Sequence, residues 1–129
     1  MKEKMIGRFY FDTYALIEVY KGNSKYEKYK DNVDILLNKL NLMEYISFLM
    51  RESVNEDFGS VFKKFEKYCV DYDDSILIEA VRMKIKYKKE DLSFVDCIGY
   101  CLAKKHGARF LTGDSDFKDK ENVEFVPVD

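Results

Sequence analysis

The sequence predicts an α/β domain, three layers deep (α/β/α), in which helices cover both faces of a central parallel sheet of four to five strands. Three observations lead there. Short apolar runs alternate along the chain with stretches whose apolar residues recur at helical spacing, the pattern of repeated strand–helix units. The first run, Met5 to Phe11, is continuously apolar and aromatic, as expected of a strand buried on both faces. Two of the runs lead directly into carboxylates, at Asp12 and at Asp114, and an open parallel sheet gathers the C-terminal ends of its strands on one edge. With 129 residues, 47% hydrophobic and one proline, the chain suits a single core, so residues 1–129 are read as one domain.

After the strand at Met5–Phe11, Thr13 is placed to cap a helix that carries Ala15, Leu16, Val19 and Tyr20 on one side and closes at Gly22. Ser24 to Asp31, rich in lysine and tyrosine, reads as a short solvated helix. Val33 to Leu40 is the second strand. Asn41, with Glu44 three residues on, fits an N-cap and its reciprocal acid, opening a helix with Leu42, Tyr45, Ile46 and Leu49 as its apolar stripe. An amphipathic helix follows over Glu56–Tyr68 with Phe58, Val61, Phe62 and Phe65 inward, then a short third strand at Cys69–Tyr72. From Ser75 to Lys89, Ile76, Ala80, Met83 and Tyr87 recur at helical spacing, leaving a basic face that reads as ordinary solvated surface or as a contact for a phosphate backbone. Ser93 caps the next helix, to Lys105, with Asp96 three residues in and Gly107 ending it. Strands at Ala108–Thr112 and Val123–Val126 complete the sheet.

Composition excludes several classes. A formal net charge of −2 is not that of a basic nucleic-acid coat protein, though it is compatible with an acidic site neutralised by metal. No run of 18 apolar residues occurs and MKEKMIGRF lacks the core of a signal peptide, so a cytoplasmic protein without membrane attachment is expected. The three cysteines and one histidine do not make a zinc set; Cys69, Cys97 and Cys101 read as small core residues.

The informative feature is the distribution of acids. Asp12 and Asp114 lie just past strand ends, while Glu44 and Asp96 lie in helices that follow a connection. On one sheet edge these four carboxylates would converge. Two like charges about 4 to 5 Å apart repel by roughly 3 to 4 kcal/mol at an effective dielectric near 20, and a divalent cation removes that cost. Oxygen-only ligands select hard ions, Mg²⁺ or Mn²⁺. Each acid also has a structural explanation: Ser93 with Asp96 and Asn41 with Glu44 form capping boxes, Asp12 accepts helix N–H groups, and Asp114 and Asp116 belong to a turn.

Taken together, FYFDTYALIE, NLMEYI, LSFVDCIGYCLAKKHGARFLTGDSDF and the closing NVEFVPV resemble the PIN-domain family, small metal-dependent ribonucleases that include the VapC-like toxins of VapBC-type toxin–antitoxin pairs. The resemblance implies Asp12, Glu44, Asp96 and Asp114 as catalytic, metal-binding acids and Asp116 as an auxiliary ligand, with the hydroxyls of Thr13 and Thr112 bonded to the cluster. It implies a strand order 3-2-1-4-5, with the strands of Asp12 and Asp114 adjacent. It also implies in-line hydrolysis of RNA phosphodiesters with a metal-activated water as nucleophile. The chain departs from the family where Cys97, Ile98, Gly99 and Tyr100 stand in place of frequent alanines, and where NKLN before Glu44 lacks a frequent proline. Expected partners are an RNA substrate, a small antitoxin and, from the 10 tyrosines and 10 phenylalanines, a second copy in a homodimer. A PIN-fold RNA-processing nuclease without an antitoxin is the alternative enzyme. A non-catalytic PIN-like module would be expected to have lost an acid, and a response-regulator-like phosphatase would replace the Asp96 helix acid with a lysine and a hydroxyl at later strand ends. Arg8, Lys104, Lys105 and the basic helix are the candidates for holding an RNA backbone.

Overall fold

In a computed structural model, which describes residues 6–128, the chain runs as strand β1 (Gly7–Phe11), helix α1 (Thr13–Lys21), a 3₁₀ turn (Ser24–Tyr29), β2 (Val33–Leu36), α2 (Lys39–Arg51), α3 (Phe58–Glu66), α4 (Asp74–Lys86), α5 (Phe94–Lys105), β3 (Arg109–Thr112), a second 3₁₀ turn (Ser115–Phe117) and β4 (Val123–Phe125). The strands form one all-parallel sheet in the order β2-β1-β3-β4. Met5, expected to open β1, lies outside the described residues.

The five-strand order 3-2-1-4-5 is therefore reduced by its outermost member. Cys69–Tyr72 supplies one parallel bridge, Cys69 to Leu37, with Val70 N donating to Leu37 O at 2.8 Å. It goes no further because Asp71 and Tyr72 are exposed and Asp73 already caps α4 through Ile76 N. Helix starts also move. Asp12, not Thr13, caps α1. Asn38, not Asn41, caps α2, with Asn41 as the reciprocal partner, so β2 stops at Leu36 and Glu44 falls in the second turn of its helix. The Ser24–Tyr29 turn is not solvated: Tyr26 and Tyr29 are buried, and their hydroxyls donate to Val126 O at 2.6 Å and Glu124 Oε2 at 2.5 Å.

Alternation along the strands divides the core between the two faces of the sheet. Phe9 and Phe11 of β1 pack with Leu111 of β3 against α1 and α2. Tyr10 and Phe110 face the other way, against α4 and α5. The apolar side of α3, Phe58, Val61, Phe62 and Phe65, is only partly buried against the first cluster. Cys97 is buried and Cys69 and Cys101 are half-buried, all as free thiols. Gly99 of α5 lies where a Cβ would come within 2.7 Å of the Tyr10 ring, so a larger residue there would require the ring to shift. Among the described residues, no helix is long and apolar enough to cross a membrane.

Candidate metal centre

The C-terminal ends of β1 and β3, adjacent in the sheet, build the back wall of the site. Asp12 follows β1 and is 3% exposed. Its Oδ1 accepts from Ala15 N at 2.8 Å, the cap of α1, and its Oδ2 accepts from the buried Thr112 hydroxyl at the end of β3. The Thr112 oxygen in turn accepts from Asp114 N at 3.0 Å, so one hydroxyl ties Asp12 to the acidic turn. Asp114 caps that turn by accepting from Asp116 N at 3.0 Å.

Burial pushes the Asp12 carboxyl up to about 8; the hydrogen bonds from Thr112 and Ala15 oppose the shift, and the charges of Asp96 and Asp114 add to it. Asp96, in the first turn of α5, forms the expected capping box with Ser93 and is also raised, first by burial and then, against the Ser93 bonds, by Asp114 and Glu44. Glu44 accepts from the Thr13 hydroxyl at 2.7 Å. Asp116 is raised by burial and then by Asp114. Tyr14 reports on the same region: its phenol is raised by burial and then by Asp114, Asp12, Asp96 and Asp116. Asp12, Asp96, Asp114 and Asp116 thus act on one another, and Glu44 joins them through Asp96 and Thr13.

The carboxylates do not close into a cage. Among the described residues, no three His, Cys, Asp or Glu side chains converge tightly enough to enclose an ion. The all-oxygen donor set, with Asp12 raised by burial and then by Asp96 and Asp114, is the chemistry that suits a hard divalent cation.

Sequence reading missed what holds the front of the site. Tyr10 OH accepts from Asn38 Nδ2 at 2.7 Å and donates to Asn41 Oδ1 at 3.2 Å, while Asn41 Nδ2 donates to Phe11 O at 2.7 Å. All three side chains are buried, and they lock the start of α2 onto the strand end that carries Asp12. The signal was the pair of asparagines in NKLN; treating Asn41 as the cap concealed Asn38. The cationic candidates are engaged elsewhere: Arg8 pairs with Asp34 at 2.7 Å, Lys104 with Glu121 at 2.7 Å and Lys105 with Asp73 at 3.5 Å. On the basic helix α4, Arg82 pairs with Glu79 at 2.9 Å and Lys84 donates to Leu92 O at 2.6 Å.

A four-stranded parallel sheet with carboxylates gathered where β1 and β3 meet defines an α/β protein with an acidic edge site at the switch point of its strand order. The sequence matches the PIN domain over residues 9–123, and the chain belongs to the PIN-domain family. Among curated protein sequences none matches it. Its fold is similar to that of the Mycobacterium tuberculosis toxin VapC20, described as cleaving the sarcin-ricin loop (TM-score 0.72, 16% identity, 92% of this chain and 99% of that one). It is similar to a chain of a toxin–antitoxin complex from Klebsiella pneumoniae (TM-score 0.71, 18% identity, 89% and 94%). It is also similar to a chain of VapBC2 from Rickettsia felis, solved with a DNA fragment from their promoter (TM-score 0.66, 16% identity, 95% and 99%).

Proposed function

We propose that this protein is a metal-dependent endoribonuclease of the PIN class, acting as a single domain in the cytoplasm as the toxin of a VapBC-type pair. The observation that carries the reading is Asp12: a buried carboxylate, held by Thr112 and Ala15 in one orientation and crowded by Asp96 and Asp114. Such a group is costly to a stable fold unless a cation uses it. Asp12, Glu44, Asp96 and Asp114, with Asp116 auxiliary, would hold Mg²⁺ or Mn²⁺. Bound there, the ion supplies Lewis-acid charge for in-line hydrolysis of an RNA phosphodiester.

The chain's own residues orient and restrain. Thr13 fixes the Glu44 carboxylate and Ser93 fixes that of Asp96. Thr112 holds Asp12 and the Asp114 turn together. No imidazole serves as general base, because His106, the one histidine, caps the far end of α5, about 15 Å along the helix axis from Asp96.

The test is incubation of the purified protein with labelled single-stranded RNA and Mg²⁺ or Mn²⁺. Cleavage is expected, lost on chelation and reduced to background in Asp96→Asn; cleavage persisting in excess EDTA removes the metal mechanism. The toxin reading adds a small antitoxin that presents an arginine or lysine to the carboxylates. A homodimer belongs to the same reading. Many of the aromatic rings are core, but α4 exposes an aliphatic stripe, Leu77, Ile78, Val81 and Ile85, suited to a second copy. Light scattering showing a monomer at high concentration excludes the dimer.

A further inference from the structure

The site edge is continuous with a cleft of about 410 Å³, and this cleft contains more than carboxylates. One wall is the face of α2 that carries Glu44, Ser47 and Arg51 at spacings of three and four residues; the other is α1, with Thr13, Tyr14 and Ile17. Ser93 and Asp96 close the end at α5. Acids therefore occupy one end of the cleft. At the other stands Arg51, two helical turns and about 10.5 Å along the axis from Glu44.

Arg51 differs from the other three arginines. Arg8, Arg82 and Arg109 each lie within 3 Å of a carboxylate, at 2.7, 2.9 and 2.7 Å. Arg51 makes no ion pair among the described residues; it donates to Ser47 Oγ at 2.8 Å along its own helix, and both residues line the cleft. Tyr14, 48% exposed and two residues beyond Asp12, lines the same cleft from α1. A planar ring and an unpaired guanidinium, set beside a site for a phosphodiester, match the two halves of a nucleotide: a base to stack and a phosphate to pair.

We propose that this cleft is a nucleotide subsite of the nuclease, in which Tyr14 stacks the base next to the scissile phosphate and Arg51 binds a neighbouring phosphate of the same strand. The proposal rests on the ribonuclease reading above and deepens it: the substrate is single-stranded on this side, because a base paired in a duplex has no free face for the ring. It makes both residues substrate-positioning groups outside the metal site. Their interactions are the same in ground and transition states, so their loss appears in KM rather than kcat.

The experiment is cleavage of a labelled single-stranded oligoribonucleotide in Mn²⁺ by wild type, Tyr14→Ala, Tyr14→Phe, Arg51→Gln and, as a remote control, Arg82→Gln. Tyr14→Ala is expected to raise KM about tenfold with kcat within about twofold, and Tyr14→Phe to restore it. On an oligonucleotide made abasic at the flanking position, wild type and Tyr14→Ala should have equal KM, because no base remains to stack. Arg51→Gln should raise KM and reduce the slope of log KM against log salt by about 0.7, the loss of one phosphate contact on a single strand. A role for Arg51 confined to the C-terminal end of α2 would instead lower the melting temperature and leave the salt slope unchanged, which overturns its part. Wild type that cuts RNA while both variants keep its KM, salt slope and base dependence overturns the subsite alone and leaves the face to a protein partner. Wild type that neither binds nor cuts RNA in Mg²⁺ or Mn²⁺ overturns the nuclease reading and the subsite with it.

Discussion

Two clefts of this molecule differ in charge balance, and the larger one carries equal numbers of cations and anions. The space between α4, α5 and the acidic turn, about 1050 Å³, is lined by five cations, Arg82, Lys86, Lys104, Lys105 and Lys120, and five anions, Glu79, Glu90, Asp116, Asp119 and Glu121. Arg82, Lys104 and Lys120 pair with Glu79, Glu121 and Glu90 of that lining. The smaller cleft between α1 and α2 is the opposite case, with Glu44 and Asp96 at one end, Arg51, without an ion pair among the described residues, at the other, and Asp12 buried nearby. The larger cleft reaches the acidic turn at Asp116 with most of its cations paired, while the smaller sets Glu44 and Asp96 beside the buried Asp12 without that compensation.

The comparison is broken most directly at Asp12. Its folded-state carboxyl, at about 8, lies above the unfolded value of 3.8, so the folded protein binds the extra proton. Metal-free stability should therefore fall as pH rises from about 4 to about 8, on the order of 1 kcal/mol per pH unit, and level off above that. Thermal melts in EDTA across this range should show the slope in wild type and its loss in Asp12→Asn, whose amide can still cap α1. Mn²⁺ should reduce the slope in wild type. Equal slopes in the two proteins would show that the small cleft stores no charge strain.

A smaller effect is expected at the polar network that ties the start of α2 to the end of β1. Tyr10→Phe keeps the ring against Gly99 but leaves Asn38 Nδ2 without its buried acceptor, while Asn41 Oδ1 keeps only the bond from Asn38 N, costing about 1 to 3 kcal/mol. Because Asn41 also holds Phe11 O, cleavage should fall along with stability. Denaturant midpoints set beside specific activity check this; a stability loss with unchanged activity would separate the network from the site. The smallest change belongs to the large cleft. Lys104→Ala removes an exposed pair with Glu121 and should cost at most about 1 kcal/mol, with activity as in wild type.

These contrasts also explain what could be read in advance. The β1, β3 and β4 runs, the α5 capping box and the acids at strand ends each depend on residues close in sequence, and each is where the pattern places it. The outer strand at Cys69 failed because a strand's extent depends on its neighbour, and Leu37 offers Cys69 only one bridge before the chain turns at Asp73. Tyr26 and Tyr29 were invisible as core because their hydroxyls are satisfied by Val126 and Glu124, about a hundred residues away. Arg51 and Tyr14 carry no motif; what marks them is that Arg51 has no ion pair among the described residues and that both line one cleft, which are properties of the folded chain.

The bond from Thr112 to Asp12 has a consequence in time. It joins positions a hundred residues apart, and β1 meets β3 only through that same separation. Translation adds about 5 to 20 residues each second, so roughly 5 to 20 s pass between the synthesis of Asp12 and of the hydroxyl that holds it. Throughout that interval a nascent chain has its first acid but not the acidic turn, and cannot assemble the centre. Asp12 is therefore the first acid of the cluster to be made and the last to be held, fixed only when β3 docks beside β1.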